Sequence, residues 1–352
     1  MQMQFDNVRW RFSSLEAAAQ LSDVYQAIGH LDSRLTQLPL ELNELRGRGY
    51  VHAGQLEDKI AAVDEQWDQV RSQVEAALRE QVTRLNQELR QVSLQVARMA
   101  AGNRASISAA DTAVSGLSQR ISAAGNAVRG LYNQIAAEID AIDGSMDQLD
   151  AMLDRFEASK IEMRETEAPL AAAAAEWHQN NEEGPTGFLF LTDQRLLFER
   201  NEEVATKKLL GLFATETEKV QELLLEIEVA HIDAVEDLEE KSGFLSMGKD
   251  EILELVMSAA APVSRARFHL IEEDSTAWAA LLKRVKSGDI DEDRAEEYID
   301  EAAEANAAAL TFPTQCPQCF APVPQPPRGV TSISCDYCGS VIVAVAPEMA
   351  GS

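Results

Sequence analysis

The chain has 352 residues, with 59 acidic residues against 31 basic ones and a net charge of −28. That length allows two or three domains, and the charge disfavours nucleic-acid phosphates or anionic lipid as partners of the whole surface. No apolar run approaches the roughly 18 residues of a spanning helix, and no basic-then-apolar leader opens the chain, so the expected location is the cytoplasm.

Residues 1–54 read as N-terminal helices. Leu15, Leu21, Val24, Ile28, Leu31, Leu35, Leu38, Leu42 and Leu45 recur every three or four residues. Pro39 is expected to kink or divide this run, because it lacks a backbone donor and clashes one turn back. Over 55–177 the repeat is more regular and reads as a coiled coil. Ile60, Val63, Trp67, Val70, Val74, Leu78, Val82, Leu85, Leu89, Val92, Val96 and Met99 form a heptad seam with a phase shift near Leu78. A second series runs from Ile107 to Phe156, with a shift near Ile135. The two stretches either fold back at Gly102-Asn103 or continue as one rod. The hairpin is preferred, since Gly and Asn tolerate a left-handed helix end. A seam this long is expected to self-associate into a homo-oligomer, with Trp67 and Phe156 available to other chains.

The composition changes near Trp177. Residues 187–199 read as two strands around a Thr192-Asp-Gln-Arg195 turn, with further strands at 223–229, 231–237, 252–257 and 265–272. An amphipathic helix at 275–286 then presents Trp278, Leu281, Leu282 and Val285. Short strands closed by one helix suggest a small barrel with a helical plug over 178–287. The run 188–198, with Ile227-Glu-Val-Ala-His-Ile232 and the Trp278 helix, resembles the pleckstrin-homology-like superfamily, and within it bacterial PH-like and GRAM-like modules. The resemblance implies a two-sheet barrel capped by a helix, used for docking on membranes or proteins and without catalysis. This copy sets only Arg195 and Lys207-Lys208 near the early strand turn against 22 acidic residues in the module. Protein docking is therefore favoured over lipid.

Residues 288–310 read as a solvated acidic helical linker to a final segment, 311–352. There Cys316-Pro-Gln-Cys319 and Cys335-Asp-Tyr-Cys338 stand fifteen residues apart, the spacing of a four-cysteine zinc site. Four thiolates complete a tetrahedron around Zn²⁺ and leave no open position, so the metal is expected to be structural. The run resembles the zinc-ribbon family over 311–345. Phe320 stands where those ribbons often have Gly, which implies a strained knuckle or an exposed contact residue, and Val323 and Ile333 are expected to pair as short strands. The alternative, two redox CxxC pairs, lacks the helix-opening βαβ setting.

Other motifs fail on context. In Gly243-Phe-Leu-Ser-Met-Gly248-Lys249, Asp250 replaces the Ser/Thr of a phosphate loop. His30, His52, His178, His231 and His269 show no i, i+4 pair, and no nucleophile elbow occurs. The expected function is a non-enzymatic scaffold or adaptor. It would self-associate through its coil and dock protein partners through the PH-like domain and the ribbon. The alternative is a peripheral membrane-associated oligomer using many weak PH-like contacts. A nucleic-acid binder ranks below both, because Arg294 and Arg328 are the only basic residues in the final 65.

Overall fold

The computed structural model of the chain describes residues 1–164, 166–178, 184–209, 213–241, 249–295, 298, 312–313, 315–323, 332–335 and 337–343, with backbone alone for 204–209, 213–218 and 241. Two compact units emerge, Met1–Asn43 with Leu56–Met146, and Glu44–Gln55 with Asp147–Ser352. The chain is multi-domain, helical at first and then built on a separate antiparallel sheet.

The first unit is built from five helices, α1 (Gln2–Ala18), α2 (Ser22–Gly47), α3 (Gln55–Ala97), α4 (Arg104–Arg129) and α5 (Asn133–Ala158), of which the last residues of α2 and the second half of α5, from Asp147, belong to the second. Within that unit they make three arms: α1 with α2, α3 alone, and α4 with α5. The middle arm runs antiparallel to both others. The Trp67 indole donates to Asp32 Oδ1 at 2.7 Å, Gln20 donates to Asn86, and Arg120 pairs with Glu88. The outer arms run parallel, held by Arg11–Asp111, Arg129–Asp23 and Arg34–Asp143. At the turn into α4, the Asn103 side chain accepts from the Ala105 and Ser106 amides, satisfying donors that a helix start leaves open.

This arrangement closes the seam inside the chain. Val63, Trp67, Leu78 and Leu85 of the middle arm are buried, as are Leu31, Leu38, Leu117 and Ile139 of the outer arms. Trp67 is 2% exposed and meets Tyr132 edge-on, so it is not available to other chains. Two breaks also fall elsewhere than expected. Pro39 stays inside α2, because its ring lies on the exposed face while Leu35, Leu38 and Leu42 pack on the other. The helix divides instead at residues 19–21, where Leu21 takes φ +48°. The phase shift expected near Ile135 is a true interruption between α4 and α5, at residues 130–132.

The second unit carries β1 (Pro169–Trp177), β2 (Thr186–Thr192), β3 (Arg195–Leu209), β4 (Phe213–Glu228), β5 (Ile232–Lys241), β6 (Lys249–Met257), β7 (Arg265–Ile271) and α6 (Ser275–Ser287). The sheet is antiparallel with order β4-β3-β2-β1-β7-β6-β5. It begins at Pro169, ahead of the boundary expected at 178, and its central strand is the alanine run 171–175. Alternation divides the two faces. Leu189, Leu191, Phe198 and Phe268 point to one core, which α6 covers with Trp278, Leu282 and Val285. Phe190 points the other way, where Phe156 meets it with ring centroids 4.9 Å apart. Phe156 is thus buried too, contrary to its expected availability. The barrel is corrected as well, because β4 and β5 stand at opposite edges of an open sheet. α6 occupies the β5 end, where Lys286 Nζ donates to the carbonyls of Ile232 and Asp233.

The Thr192–Arg195 turn is a junction of buried polar groups. Thr192 Oγ1 donates to Glu167 Oε1 at 2.6 Å and accepts from the Gln194 and Arg195 amides. Arg195 grips Glu167 from two nitrogens and reaches Glu226 and the Glu162 carbonyl. Asp193 accepts from the Ala168 amide and from Arg294. Arg294 thereby anchors residues 289–295, which open as a 3₁₀ turn over Asp289–Asp293 and pass against the loop before α3. There Gly54 donates to Asp293 O, Ala295 donates to Val51 O, and a Cβ on Gly54 would lie 2.5 Å from Arg294 O. The start of the expected acidic linker is therefore a packed strap. Residues 299–310 of that linker, and 243–248 of the rejected phosphate loop, lie outside the described residues.

Candidate metal centre

Each CxxC turn folds on itself with the same two backbone bonds. The Cys316 amide donates to Ala321 O and the Phe320 amide donates to Cys316 O; the Cys335 amide donates to Ser340 O and the Gly339 amide donates to Cys335 O. Closing so tightly forces the residue after the second cysteine into the left-handed region, with φ +61° at Phe320 and +68° at Gly339. Gly accepts that conformation freely, whereas a side chain there is strained. Phe320 pays this strain with its ring 73% exposed.

The two knuckles face each other. Cys316 Sγ lies 3.7 Å from Cys338 Sγ, and Cys319 Sγ lies 3.6 Å from Cys335 Sγ. All four sulfurs fall within 4.8 Å of one another, and none is in a disulfide. A tetrahedron with Zn–S bonds of about 2.3 Å has edges of about 3.8 Å, so the cluster is compatible with zinc. Ser340 serves as an outer-shell partner, its hydroxyl 3.3 Å from Cys316 Sγ and 3.0 Å from Cys338 Sγ. That contact pulls the Cys316 thiol down to about 6 and lowers Cys338 as well. Cys319 gains from the Ala321 amide, but desolvation and the sulfurs of Cys338, Cys335 and Cys316 push it up to about 12.

Two strands, β8 (Ser332–Ser334) and β9 (Val341–Val343), complete the segment. Ile333 pairs with Ile342 and not with Val323; Val323 instead packs beside both in a small core with Phe312 and the buried cysteines. Ala230 joins that core from the turn between β4 and β5, and the adjoining His231 donates from Nε2 to Ser332 O at 2.8 Å. Expected as an ordinary sheet residue, His231 fastens the ribbon to the sheet. Neither His231 nor Ser340 is visible from spacing, because each acts across a contact that only the fold creates. Arg294 did leave a trace, as one of two basic residues in an acidic tail.

No family model matches the chain, and no curated protein does. Among solved structures it is similar to a chain of human RhoA with the DH/PH fragment of PDZRHOGEF, at 11% identity and TM-score 0.26, covering 79% of this chain and 92% of that one. The PDZ-RhoGEF DH/PH domains with GTP-gamma-S activated RhoA give 10% and 0.27, over 81% and 94%. The DH/PH domains of p115-RhoGEF give 9% and 0.20, over 66% of each. TM-scores this low say nothing about activity or partners. Among the described residues, no helix is long and apolar enough to cross a membrane.

Proposed function

We propose that the chain is a non-enzymatic adaptor, in which a PH-like sheet module and a zinc-loaded ribbon dock a protein partner. The observation that carries this reading is Phe320, an aromatic ring held exposed at a backbone conformation that favours glycine. Strain of this kind costs on the order of 1–3 kcal/mol and gathers at functional sites. Tyr337 of the other knuckle and Val341 and Val343 of β9 are exposed as well, giving the ribbon an apolar surface. Zinc held by Cys316, Cys319, Cys335 and Cys338 has no open position for catalysis and serves to fix the knuckles. The acidic surface favours a protein partner over phosphate-bearing ones. Self-association, expected from the helical seam, has to use another face, since that seam is closed among its own arms. Light scattering on the full chain over a tenfold concentration range decides it.

The test compares the zinc-loaded full chain with a Phe320→Gly/Tyr337→Ala variant, each used to retain proteins from the source cells. Partners held by the native chain and lost by the variant support the adaptor. Equal retention by both sinks it. Strong binding to acidic vesicles at physiological salt would install the membrane-associated reading in its place.

A further inference from the structure

A second group of metal-ligating side chains lies on the sheet face away from α6. Glu176, near the end of β1, is directly opposite His269 of β7, and His178 follows just beyond β1. The alternation of a strand puts Glu176 and His269 on one face, and the His178 amide is fixed by the Arg267 carbonyl at 2.8 Å. The ligand atoms of Glu176, His178 and His269 all fall within 4.8 Å of one another. Glu176 Oε1 is 3.7 Å from His178 Nε2, and Asp250 Oδ1 is 3.6 Å from His269 Nε2. Bonds of about 2.0–2.1 Å to zinc would set neighbouring ligands about 3.4 Å apart, within a few tenths of an ångström of the Glu176–His178 and Asp250–His269 separations. All four side chains are partly buried, between 19% and 35% exposed. The two carboxylates, Glu176 and Asp250, match the charge of a divalent cation. Arg267, whose carbonyl holds the His178 amide, has its guanidinium engaged by Glu240 and Glu254.

We propose that Glu176, His178 and His269, with Asp250 beside them, bind a borderline divalent metal ion, zinc or nickel. Two imidazoles and a carboxylate suit these ions better than the oxygen-seeking calcium or magnesium. The position gives the site a consequence. β1 and β7 join the two halves of the sheet through a ladder of only four residue pairs, from Ala174↔Ile271 to Trp177↔Phe268. A metal held by His178 and Glu176 on one side and His269 on the other clips that join.

The full chain is first given one equivalent of zinc, and protection of its four thiols against a thiol reagent confirms that the cysteine cluster is filled. A second equivalent of Zn²⁺, or Ni²⁺, is then titrated calorimetrically. One further ion should bind and should raise the thermal midpoint, as any ligand of the folded state does. His178→Asn and His269→Asn should each weaken this second event by more than about 100-fold, beyond the loss expected for an outer-shell partner, with the thiols still protected. Histidine ring resonances of the unaltered chain provide a measure independent of variant folding: of the five histidines, only two should shift with the second equivalent. Absence of a second event, unchanged affinity in folded variants, or shifts confined to His30, His52 or His231 would overturn the assignment.

Discussion

Arg120 and Glu88 pair between two helical arms with the arginine side chain 51% exposed, whereas Arg195 and Glu167 pair beneath the sheet at 6% and 0%. Both pairs join segments 32 and 28 residues apart in sequence, yet solvent makes them different objects. In the helical unit an apolar seam does the holding, and charges decorate its outside. In the sheet unit, charges are part of the interior: Glu167, Asp193, Arg195 and Arg294 are all buried and bonded to one another or to backbone. Water screens the first kind of pair and leaves little net energy. The second kind has lost its hydration, so each partner depends on the other. One unit should therefore tolerate loss of a charge and the other should not.

The sharpest separation comes from metal. Structural zinc contributes about 10–16 kcal/mol of apparent binding energy at neutral pH, and that energy is folding energy. Chelation should abolish amide protection in the two CxxC turns and in β8 and β9 while the helical arms and β1–β7 keep theirs. Hydrogen exchange followed by mass spectrometry reads the three regions at once. If the sheet loses protection together with the ribbon, the His231–Ser332 contact couples them far more strongly than one hydrogen bond allows.

Next in size is the buried pair. Glu167→Ala leaves Arg195 charged, enclosed and short of its bidentate partner, and should cost about 3–5 kcal/mol in a urea transition of the second unit. A cost below about 1 kcal/mol would mean that Glu226 alone satisfies the guanidinium, and the contrast with the helical unit would collapse.

How far the sequence revealed these two regimes depends on what each leaves in a one-dimensional pattern. A seam repeats, so the buried faces of α3 and α4 were legible from Val63, Leu78, Leu85, Ile107 and Leu117. The number of arms was not, because a three-four repeat names a face and not the partner that covers it. Leu170-Ala-Ala-Ala-Ala-Ala175 misled in the opposite sense. Alanine is the best helix former, yet here it forms the central strand, where β2 pairs along the run, β7 joins at Ala174 and Ala175, and small side chains fit beneath close-packed neighbours. The four cysteines were fully legible, since their chemistry dictates their spacing. Buried polar junctions have no period at all. The Thr192–Arg195 turn could be recognised, but its partners Glu167 and Arg294 are 25 and 101 residues from the groups they meet in it.

Acid should distinguish the units more gently. Burial alone would raise the Glu167 carboxyl, but hydrogen bonds from Arg195, Thr192 and the Arg164 amide hold it below the ordinary carboxylate range. A depressed native value means the unfolded chain takes up the proton first. The associated stability is complete above the ordinary carboxylate value near 4.3 and is lost as pH falls through the lower native one. Urea midpoints of the second unit should fall over that window, and Glu167→Gln should flatten the fall. An unchanged slope in that variant would assign the acid sensitivity to other carboxylates.

The smallest effect is the one that completes the contrast. Glu88→Ala removes the partner of Arg120 where the guanidinium stays half exposed and can turn to water. Nothing charged is stranded, and alanine has the higher helix propensity, which offsets part of the lost attraction. The net change should lie within about 1 kcal/mol of zero, and raising the salt concentration should shrink the difference between variant and native chain, because the pair is screened. A double-mutant cycle with Arg120→Ala isolates the coupling from the propensity gain. A coupling above about 2 kcal/mol, insensitive to salt, would show that the arms rely on this crossing as the sheet relies on Arg195, and the division between an apolar seam and a charged interior would no longer separate the two units.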